Sequence, residues 1–114
     1  MALRKGFRCM TVLIVDDDGW ARALLGRILE KNGYLTLQAE DGAEALTIYQ
    51  SSSLDLIITD IQMPKVSGIE LISSVRKMNG EKSRIPIIAL TSGSQEIGDE
   101  AIKVGADMVG FKPA

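Results

Sequence analysis

Several apolar runs in this sequence end in side chains that could take part in chemistry. The aspartates Asp16, Asp17 and Asp18 follow the first of these runs, and Asp60, Thr91 and Lys112 follow three others. The chain contains no histidine, which excludes histidine-based catalysis and histidine metal ligands. The available chemistry is therefore that of carboxylates, a hydroxyl group and an amine.

Carboxylates that are brought within a few ångströms of one another repel, and each is driven towards protonation unless a cation lies among them. Oxygen ligands alone favour a hard ion, and a site that also awaits a phosphate oxygen suits Mg²⁺ better than Ca²⁺. We therefore predict Mg²⁺ as the cofactor. Lys112 adds a mobile positive charge suited to a phosphoryl oxygen, and Thr91 can donate a hydroxyl hydrogen bond to another.

The strands that must position these groups are short and apolar. The first is predicted over residues 12–15, directly before the acidic run. The others are predicted over Tyr34–Ala39, Leu54–Thr59, Ile85–Leu90 and Met108–Phe111.

Helical periodicity fills the segments between these strands. The first helix is predicted from the stripe Ala21, Leu24, Leu25 and Ile28, closed by Gly33. A capping box formed by Asp41 and Glu44 predicts a second helix, which runs to about Gln50. A capping box formed by Ser67 and Glu70 predicts a third helix, whose apolar stripe is Leu71, Ile72, Val75 and Met78. The stripe Ile97, Ala101 and Val104 predicts a weak helix over Gln95–Val104, interrupted by Gly98.

Five strands alternating with helices predict an α/β fold, a doubly wound parallel sheet with right-handed crossovers. In such a sheet the ligand site lies outside the carboxyl ends of the strands. The chain stops at Ala114, directly after the fifth strand, where a further helix would cover the face shared with the first helix. We expect that face to be partly bare, and we favour a truncated sequence over a partner chain that covers the gap.

The chain resembles the receiver domain of two-component response regulators from about Thr11 to Pro113. The motifs that carry the resemblance, in order, are Asp16-Asp17, Asp60-Ile-Gln-Met-Pro64 with Gly68, Thr91-Ser92 and Lys112-Pro113. The resemblance implies a flavodoxin-like sheet with strand order 2-1-3-4-5. It also implies a switch in which Asp60 accepts a phosphoryl group from a phosphohistidine on a sensor histidine kinase or a histidine phosphotransfer protein.

The same resemblance implies a role for each site residue. Asp17 is expected to be the main Mg²⁺ ligand beside Asp60, with Asp16 acting largely through water and the backbone carbonyl of Gln62 as a further ligand. Thr91 would move to hydrogen-bond the phosphoryl group, and a cis bond before Pro113 would aim Lys112 at the site. The switch would control an unknown output domain or partner, and the chain would catalyse only its own phosphorylation and dephosphorylation.

Four positions near the predicted site carry separate expectations. Val109 stands where many receivers have an aromatic residue, so we expect output to pass through backbone movement over residues 91–94. Gly93 offers no side chain to steer a hydrolytic water. We expect Asp18 to be a helix N-cap and Trp20 to pack in the first helical turn.

Two other readings of the sequence stay open. A phosphatase similar to the haloacid dehalogenases would use Asp16 as nucleophile and Asp18 as acid/base, with Thr91 and Lys112 binding phosphate, but it leaves the motif at Asp60 unexplained. A receiver-like binding module that is never phosphorylated would be expected to lack an acid or the lysine, and all are present. The bare face could also serve a homodimer.

Composition limits the setting and the partners. The chain has 114 residues, with 13 Lys and Arg against 15 Asp and Glu, so its net charge of −2 provides no basic field for direct nucleic acid binding. The single cysteine, Cys9, allows no internal disulfide, which favours the cytoplasm. No stretch predicts a membrane span. We expect residues 1–10 to be an extension and residues 11–114 to form one receiver domain, truncated after its fifth strand.

Overall fold

A computed structural model of the chain describes residues 9–63, 66–78 and 80–112. These residues contain a five-stranded parallel sheet with the order β2-β1-β3-β4-β5, which confirms the predicted order. The strands are β1 (Thr11–Val15), β2 (Leu35–Ala39), β3 (Leu56–Asp60), β4 (Ile87–Thr91) and β5 (Met108–Phe111).

Four α-helices and one 3₁₀ helix connect the strands in the described residues. They are α1 (Gly19–Lys31), α2 (Gly42–Ser51), α3 (Gly68–Lys77), the 3₁₀ helix η1 (Glu81–Arg84) and α4 (Gln95–Val104). The ends of β3 and β4 differ from the prediction, because Asp60 pairs with Leu90 and Thr91 pairs with Phe111. Both chemical groups therefore belong to the rigid ladder and not to the loops after it.

Side-chain caps begin three of the helices. The Asp18 carboxylate accepts from the backbone N–H groups of Trp20 and Ala21, which makes Asp18 the predicted N-cap of α1. Ser67 and Glu70 form the complete capping box predicted for α3. At α2, Asp41 accepts from the N–H of Glu44, but the Glu44 carboxylate accepts from the N–H of Glu40 instead of that of Asp41.

The helices cover the two faces of the sheet unequally. Alternate residues of a strand point to opposite faces, so Leu13 and Val15 join one cluster while Val12 and Ile14 join another. The larger cluster packs beneath α2, α3 and α4, with members such as Tyr49, Leu71, Ile72, Val75 and Ala101. The smaller one is packed by Leu25 and Leu29 of α1.

The face that carries α1 is partly bare among the described residues, as predicted. Met108 of β5 is 60% exposed, and Leu24 and Ile28 of α1 are 52% and 50% exposed. The predicted stripe of α1 is therefore wrong for Leu24 and Ile28, because α1 lies over β1 and β2 and leaves those two side chains on its flank.

The expectation that Trp20 packs in the first turn is also wrong, since its side chain is 80% exposed. Trp20 lies beside Ala23, Leu24 and Arg27, which a helix places on one side, and all four residues are exposed. Within the described part of the chain, no helix is both long and apolar enough to cross a membrane.

Candidate functional site

An acidic cluster lies at the carboxyl ends of β1 and β3. The two strands are parallel neighbours, with Val15 opposite Thr59, so the chain brings Asp16 and Asp60 to the same rim of the sheet. One carboxylate oxygen from each of Asp16, Asp17 and Asp60 lies within 4.8 Å of the others. Asp16 and Asp60 are buried and Asp17 is exposed.

Lys112 reaches this cluster from the end of β5. Its backbone N–H donates to the carbonyl of Thr91 at 2.8 Å, which extends the ladder by one residue. Its ammonium group donates to Asp16 Oδ2 at 2.8 Å and lies 3.5 Å from Asp60 Oδ2. The predicted cis bond between Lys112 and Pro113 lies outside the described residues.

The electrostatics of the cluster are unbalanced, because among the described residues three carboxylates are contacted by one ammonium group, that of Lys112, while Arg22 contacts only the backbone of Asp16. Burial raises the pKa of Asp60 above its ordinary value; the Lys112 charge opposes this effect and the Asp16 charge adds to it. Burial lowers the pKa of Lys112, but its hydrogen bond to Asp16 and the charges of Asp60 and Asp16 outweigh burial, and the pKa is raised overall. A further cation at this rim would relieve the repulsion between the carboxylates.

Thr91 and Gln62 complete the rim. Thr91 is fully buried at the end of β4, and its hydroxyl oxygen accepts from the N–H of Gly93 at 2.8 Å. The backbone N–H of Gln62 faces the Asp60 carboxylate and partly offsets the raised pKa of Asp60. The Ser92 hydroxyl group donates to Gln62 Oε1 at 3.5 Å. The part assigned to the Gln62 carbonyl as a metal ligand stays a prediction.

Gly68 lets α3 begin directly against the end of β3. Its N–H donates to the carbonyl of Ile61 at 2.9 Å, and a Cβ at this position would overlap the Asp60 carbonyl and approach Ile61 Cα to 2.7 Å. Any larger residue would push the Asp60 backbone out of place. The motif after Asp60 therefore requires glycine at position 68 for steric reasons.

One residue at the rim was not found by sequence reasoning. Arg22 of α1 donates from Nη1 to the backbone carbonyl of Asp16 at 2.6 Å. It stands in a helix whose pattern of apolar residues gives no signal for such a contact.

A cleft at the opposite end of the sheet is a separate feature. It encloses about 300 Å³ and is lined by Tyr49, Ser52, Ser53, Leu54, Asp55, Glu81, Lys82, Arg84, Ile85 and Pro86. It lies at the amino ends of β3 and β4, whereas the clustered carboxylates lie at the carboxyl ends. The clustered carboxylates and Lys112, on which the predicted chemistry depends, lie at the rim and not in this cleft.

Comparison with known proteins gives consistent similarities. The family model described as the response regulator receiver domain matches residues 12–114. The CAI-1 autoinducer sensor kinase/phosphatase CqsS of Vibrio cholerae is 38% identical over 89 residues, which are 78% of this chain and 13% of that protein. The chain spans from 13% to 42% of the length of several curated relatives that it matches.

Solved structures match the fold as well. The chemotaxis protein CheY4 of Vibrio cholerae superposes with a TM-score of 0.86 at 35% identity, over 94% of this chain and 89% of that one. The response regulator TrrA of Thermotoga maritima, solved in complex with Mg²⁺-BeF, has a TM-score of 0.80 at 38% identity, over 91% and 87% of the two chains. The expected division into an extension over residues 1–10 and a domain from residue 11 stays a prediction.

Proposed function

The chain belongs to the response regulator receiver domain family, and from that premise we propose that it is a phosphorylation switch in which Asp60 is the phosphoacceptor. One observation carries the proposal. The buried carboxylate of Asp60 lies within reach of two further acids and 3.5 Å from the Lys112 ammonium group. That arrangement is suited to a phosphoryl group and a divalent cation.

The proposed reaction needs no general base, because an ionised carboxylate is already a nucleophile. An Asp60 oxygen attacks phosphorus in line, and the bond from phosphorus to the donor nitrogen breaks as the new bond forms. Asp60 is the last residue of β3, so the sheet fixes its backbone before the reaction begins. Lys112 offsets negative charge on the transferring oxygens.

The residues present fit an Mg²⁺ site. Asp16, Asp17 and Asp60 supply only oxygen atoms, which Mg²⁺ prefers, and the carbonyl of Gln62 is a further candidate ligand. The Mg²⁺-BeF complex of the Thermotoga maritima relative supports such a site. When bound, Mg²⁺ would stabilise negative charge on the phosphoryl oxygens.

The hydrogen bonds of Asp16 support the indirect role proposed for it. Its Oδ1 accepts from the N–H of Asp18 at 3.0 Å, and its Oδ2 accepts from Lys112 at 2.8 Å. Both carboxylate oxygens are therefore engaged, whereas Asp17 is exposed and better placed to contact a metal directly. We assign Asp17 as the main additional ligand and Asp16 as one that acts through water.

Phosphorylation would change the contacts of Thr91. The added phosphoryl oxygens are strong acceptors beside its hydroxyl group, and movement of Thr91 would pull the loop that leads to α4. The N-cap of α4, Ser94, makes no side-chain cap hydrogen bond, so this end of the helix is weakly held. A shift from 1:99 to 99:1 needs about 5.5 kcal/mol, which is more than one hydroxyl contact provides, so Lys112 and the output partner must contribute.

The proposed donor is a phosphohistidine on a sensor histidine kinase or a histidine phosphotransfer protein. Similarity to a protein named as a sensor kinase/phosphatase supports this class of partner. We further propose a cytoplasmic setting and control of an output domain or partner. Direct nucleic acid binding is not proposed, because the net charge of −2 gives no general attraction to phosphates.

The phosphatase alternative is disfavoured by the position of Asp18. Its carboxylate caps α1 through the N–H groups of Trp20 and Ala21, and it is not among the clustered acids. An acid/base residue would have to lie within reach of the substrate. The alternative of a binding module without phosphorylation lacks a specific observation in its favour, since Asp60 and Lys112 lie together at the rim.

Intact-mass measurement tests the proposal. Wild type, Asp60→Asn and the surface control Asp99→Asn are incubated with a small phosphodonor, with and without Mg²⁺. We expect one phosphoryl group on wild type and on Asp99→Asn, only with Mg²⁺, and none on Asp60→Asn. A gain that persists in Asp60→Asn and disappears in Asp16→Asn would favour the phosphatase reading, and no gain in folded wild type would favour the binding module.

A further inference from the structure

The backbone and side chain of Asp16 are held by hydrogen bonds from several elements. Its N–H donates to the carbonyl of Ala39 at 3.1 Å, and its carboxylate accepts from Asp18 and Lys112. Its carbonyl oxygen lies beyond the ladder and accepts from Arg22 Nη1 at 2.6 Å. Buried carbonyl groups without a partner are costly, so this contact satisfies a group that the strand leaves unpaired.

Arg22 makes this contact from the beginning of α1. Its backbone N–H donates to the Asp18 carbonyl at 3.0 Å, which places it in the first helical turn. Its side chain folds back over the acidic loop, and its Nε donates to Gln38 Oε1 on β2 at 3.4 Å. Gly19 lies beneath the Arg22 side chain, since a Cβ at position 19 would be 3.5 Å from Arg22 Nη2. The guanidinium group thus joins α1, β2 and the loop that carries Asp16 and Asp17.

From these contacts we infer that Arg22 is a positioning residue for the proposed Mg²⁺ site, an inference that rests on the proposed function. Arg22 acts through the backbone of Asp16 and fixes the loop on which Asp17 stands. It contacts neither the phosphoryl group nor the metal in this role.

Two physical effects of Arg22 on Mg²⁺ binding have opposite signs. A positive charge near the carboxylates repels a second cation, so electrostatics alone predicts tighter Mg²⁺ binding when Arg22 loses its charge. Loss of the anchor lets the loop move, and residues that orient metal ligands typically change metal affinity by about 10- to 100-fold when they are removed. The inference requires the anchoring effect to exceed the electrostatic one.

Calorimetric titration with MgCl₂ separates the two effects. The proteins compared are wild type, Arg22→Met, Arg22→Lys and the control Arg27→Met, which removes an exposed charge from the flank of α1 beside Trp20. We expect Arg22→Met to bind Mg²⁺ about tenfold more weakly than wild type. Arg22→Lys should lie between them, because lysine keeps the charge and can replace one of the two side-chain contacts of Arg22. Arg27→Met should match wild type or bind slightly more tightly.

Phosphoryl uptake at varied Mg²⁺ concentration provides the second readout. In Arg22→Met the half-saturating Mg²⁺ concentration should rise about tenfold, while the rate at saturating Mg²⁺ returns to that of wild type. A rate that stays low at every Mg²⁺ concentration would indicate general structural damage and would overturn the inference.

The remaining outcomes are equally decisive. Wild-type or tighter Mg²⁺ affinity in Arg22→Met would overturn the inference and leave the proposed function intact. Should Arg22→Met fail to fold, as judged by circular dichroism, Arg22→Gln replaces it, because glutamine removes the charge and shortens the side chain, and wild-type or tighter affinity in that variant overturns the inference. Absence of Mg²⁺ binding in folded wild type would overturn the proposed Mg²⁺ site and, with it, the inference.

Discussion

Two networks of charged side chains lie at opposite ends of the sheet, and they differ in balance. At the amino end, Arg76 of α3 donates to the carbonyls of Gly105, Ser83 and Ile85 at 2.9, 2.6 and 2.7 Å, and to Asp107 Oδ2 at 2.9 Å. The guanidinium group of Arg76 thus has four hydrogen-bond acceptors, and its charge is paired with that of Asp107. The network joins α3 to the segments that enter β4 and β5.

At the carboxyl end the charges are not matched. Among the described residues, the Lys112 ammonium group contacts Asp16 and Asp60, and the Arg22 guanidinium group contacts the backbone of Asp16, so three clustered carboxylates face two cations. Burial raises the pKa of Asp60. A network whose charges are paired stabilises the fold, whereas carboxylates that outnumber the nearby cations can be stabilised further by a bound cation. The comparison indicates that the network at the amino end holds the domain together, and it supports the proposal that the carboxyl end binds a cation and a phosphoryl group.

The largest expected effect is on stability at the amino end. Arg76→Met would leave the carbonyls of Gly105, Ser83 and Ile85 without their donor, and we expect a loss of about 3 kcal/mol in the free energy of unfolding. The pair with Asp107 adds little, because the Asp107 side chain is 60% exposed. Urea denaturation measures the loss, with Arg84→Met on the exposed side of η1 as the control. A loss below about 1 kcal/mol would contradict the structural role of this network.

The next effect is stabilisation of the carboxyl end by metal. At Mg²⁺ concentrations about 100-fold above the dissociation constant, we expect wild type to gain about 2.7 kcal/mol in the free energy of unfolding. Asp17→Asn should gain much less, since it removes the proposed exposed ligand. Denaturation with and without MgCl₂ measures this gain, and an equal gain in both proteins would place the ion elsewhere.

A smaller effect of opposite sign is expected at Asp60. Burial raises the pKa of Asp60, so the ionised carboxylate opposes folding at neutral pH. We therefore expect Asp60→Asn to stabilise the metal-free domain by about 1 kcal/mol, which is a common size for a stabilising substitution. Thermal denaturation in a chelating buffer tests this expectation. Destabilisation by the asparagine would mean that the ion pair with Lys112 outweighs burial.

The smallest effect concerns the Tyr49 hydroxyl group. It is buried and has no hydrogen-bond partner among the described residues, so Tyr49→Phe should change stability by less than about 1 kcal/mol and in the favourable direction. Burial also raises the pKa of Tyr49, against the opposing charge of Arg76. The stability linked to its proton is therefore present at neutral pH and is lost as the pH rises through the folded-state pKa. The phenylalanine variant should lose less stability in alkali, and an equal or greater loss would contradict the burial of this hydroxyl group.

Local signals in the sequence predicted much of this fold. Asp18 and Ser67 were identified as caps because a cap depends on residues two or three positions away. The apolar runs predicted the strands, and the rule that parallel strands end at one rim predicted that Asp60 and Lys112 would meet. The strand order came from the resemblance, because periodicity does not encode it.

The contacts that the sequence did not predict depend on distant elements. Arg22 and Arg76 act through carbonyl groups, which every residue possesses, so the sequence contains no partner to recognise. Leu24 and Trp20 were expected to pack, but their burial depends on what lies opposite α1 and not on helical spacing. These contacts and this exposure depend on the tertiary structure, which a local sequence pattern does not encode.

The identity of the phosphoacceptor is open to direct measurement in wild type. The phosphorylated chain is reduced with borohydride, which converts an aspartyl phosphate to homoserine, and the digest is sequenced by tandem mass spectrometry. Homoserine at position 60, formed only after incubation with Mg²⁺ and a phosphodonor, is the expected result. Homoserine at position 16, or none in a folded and correctly treated sample, would contradict the assignment of Asp60.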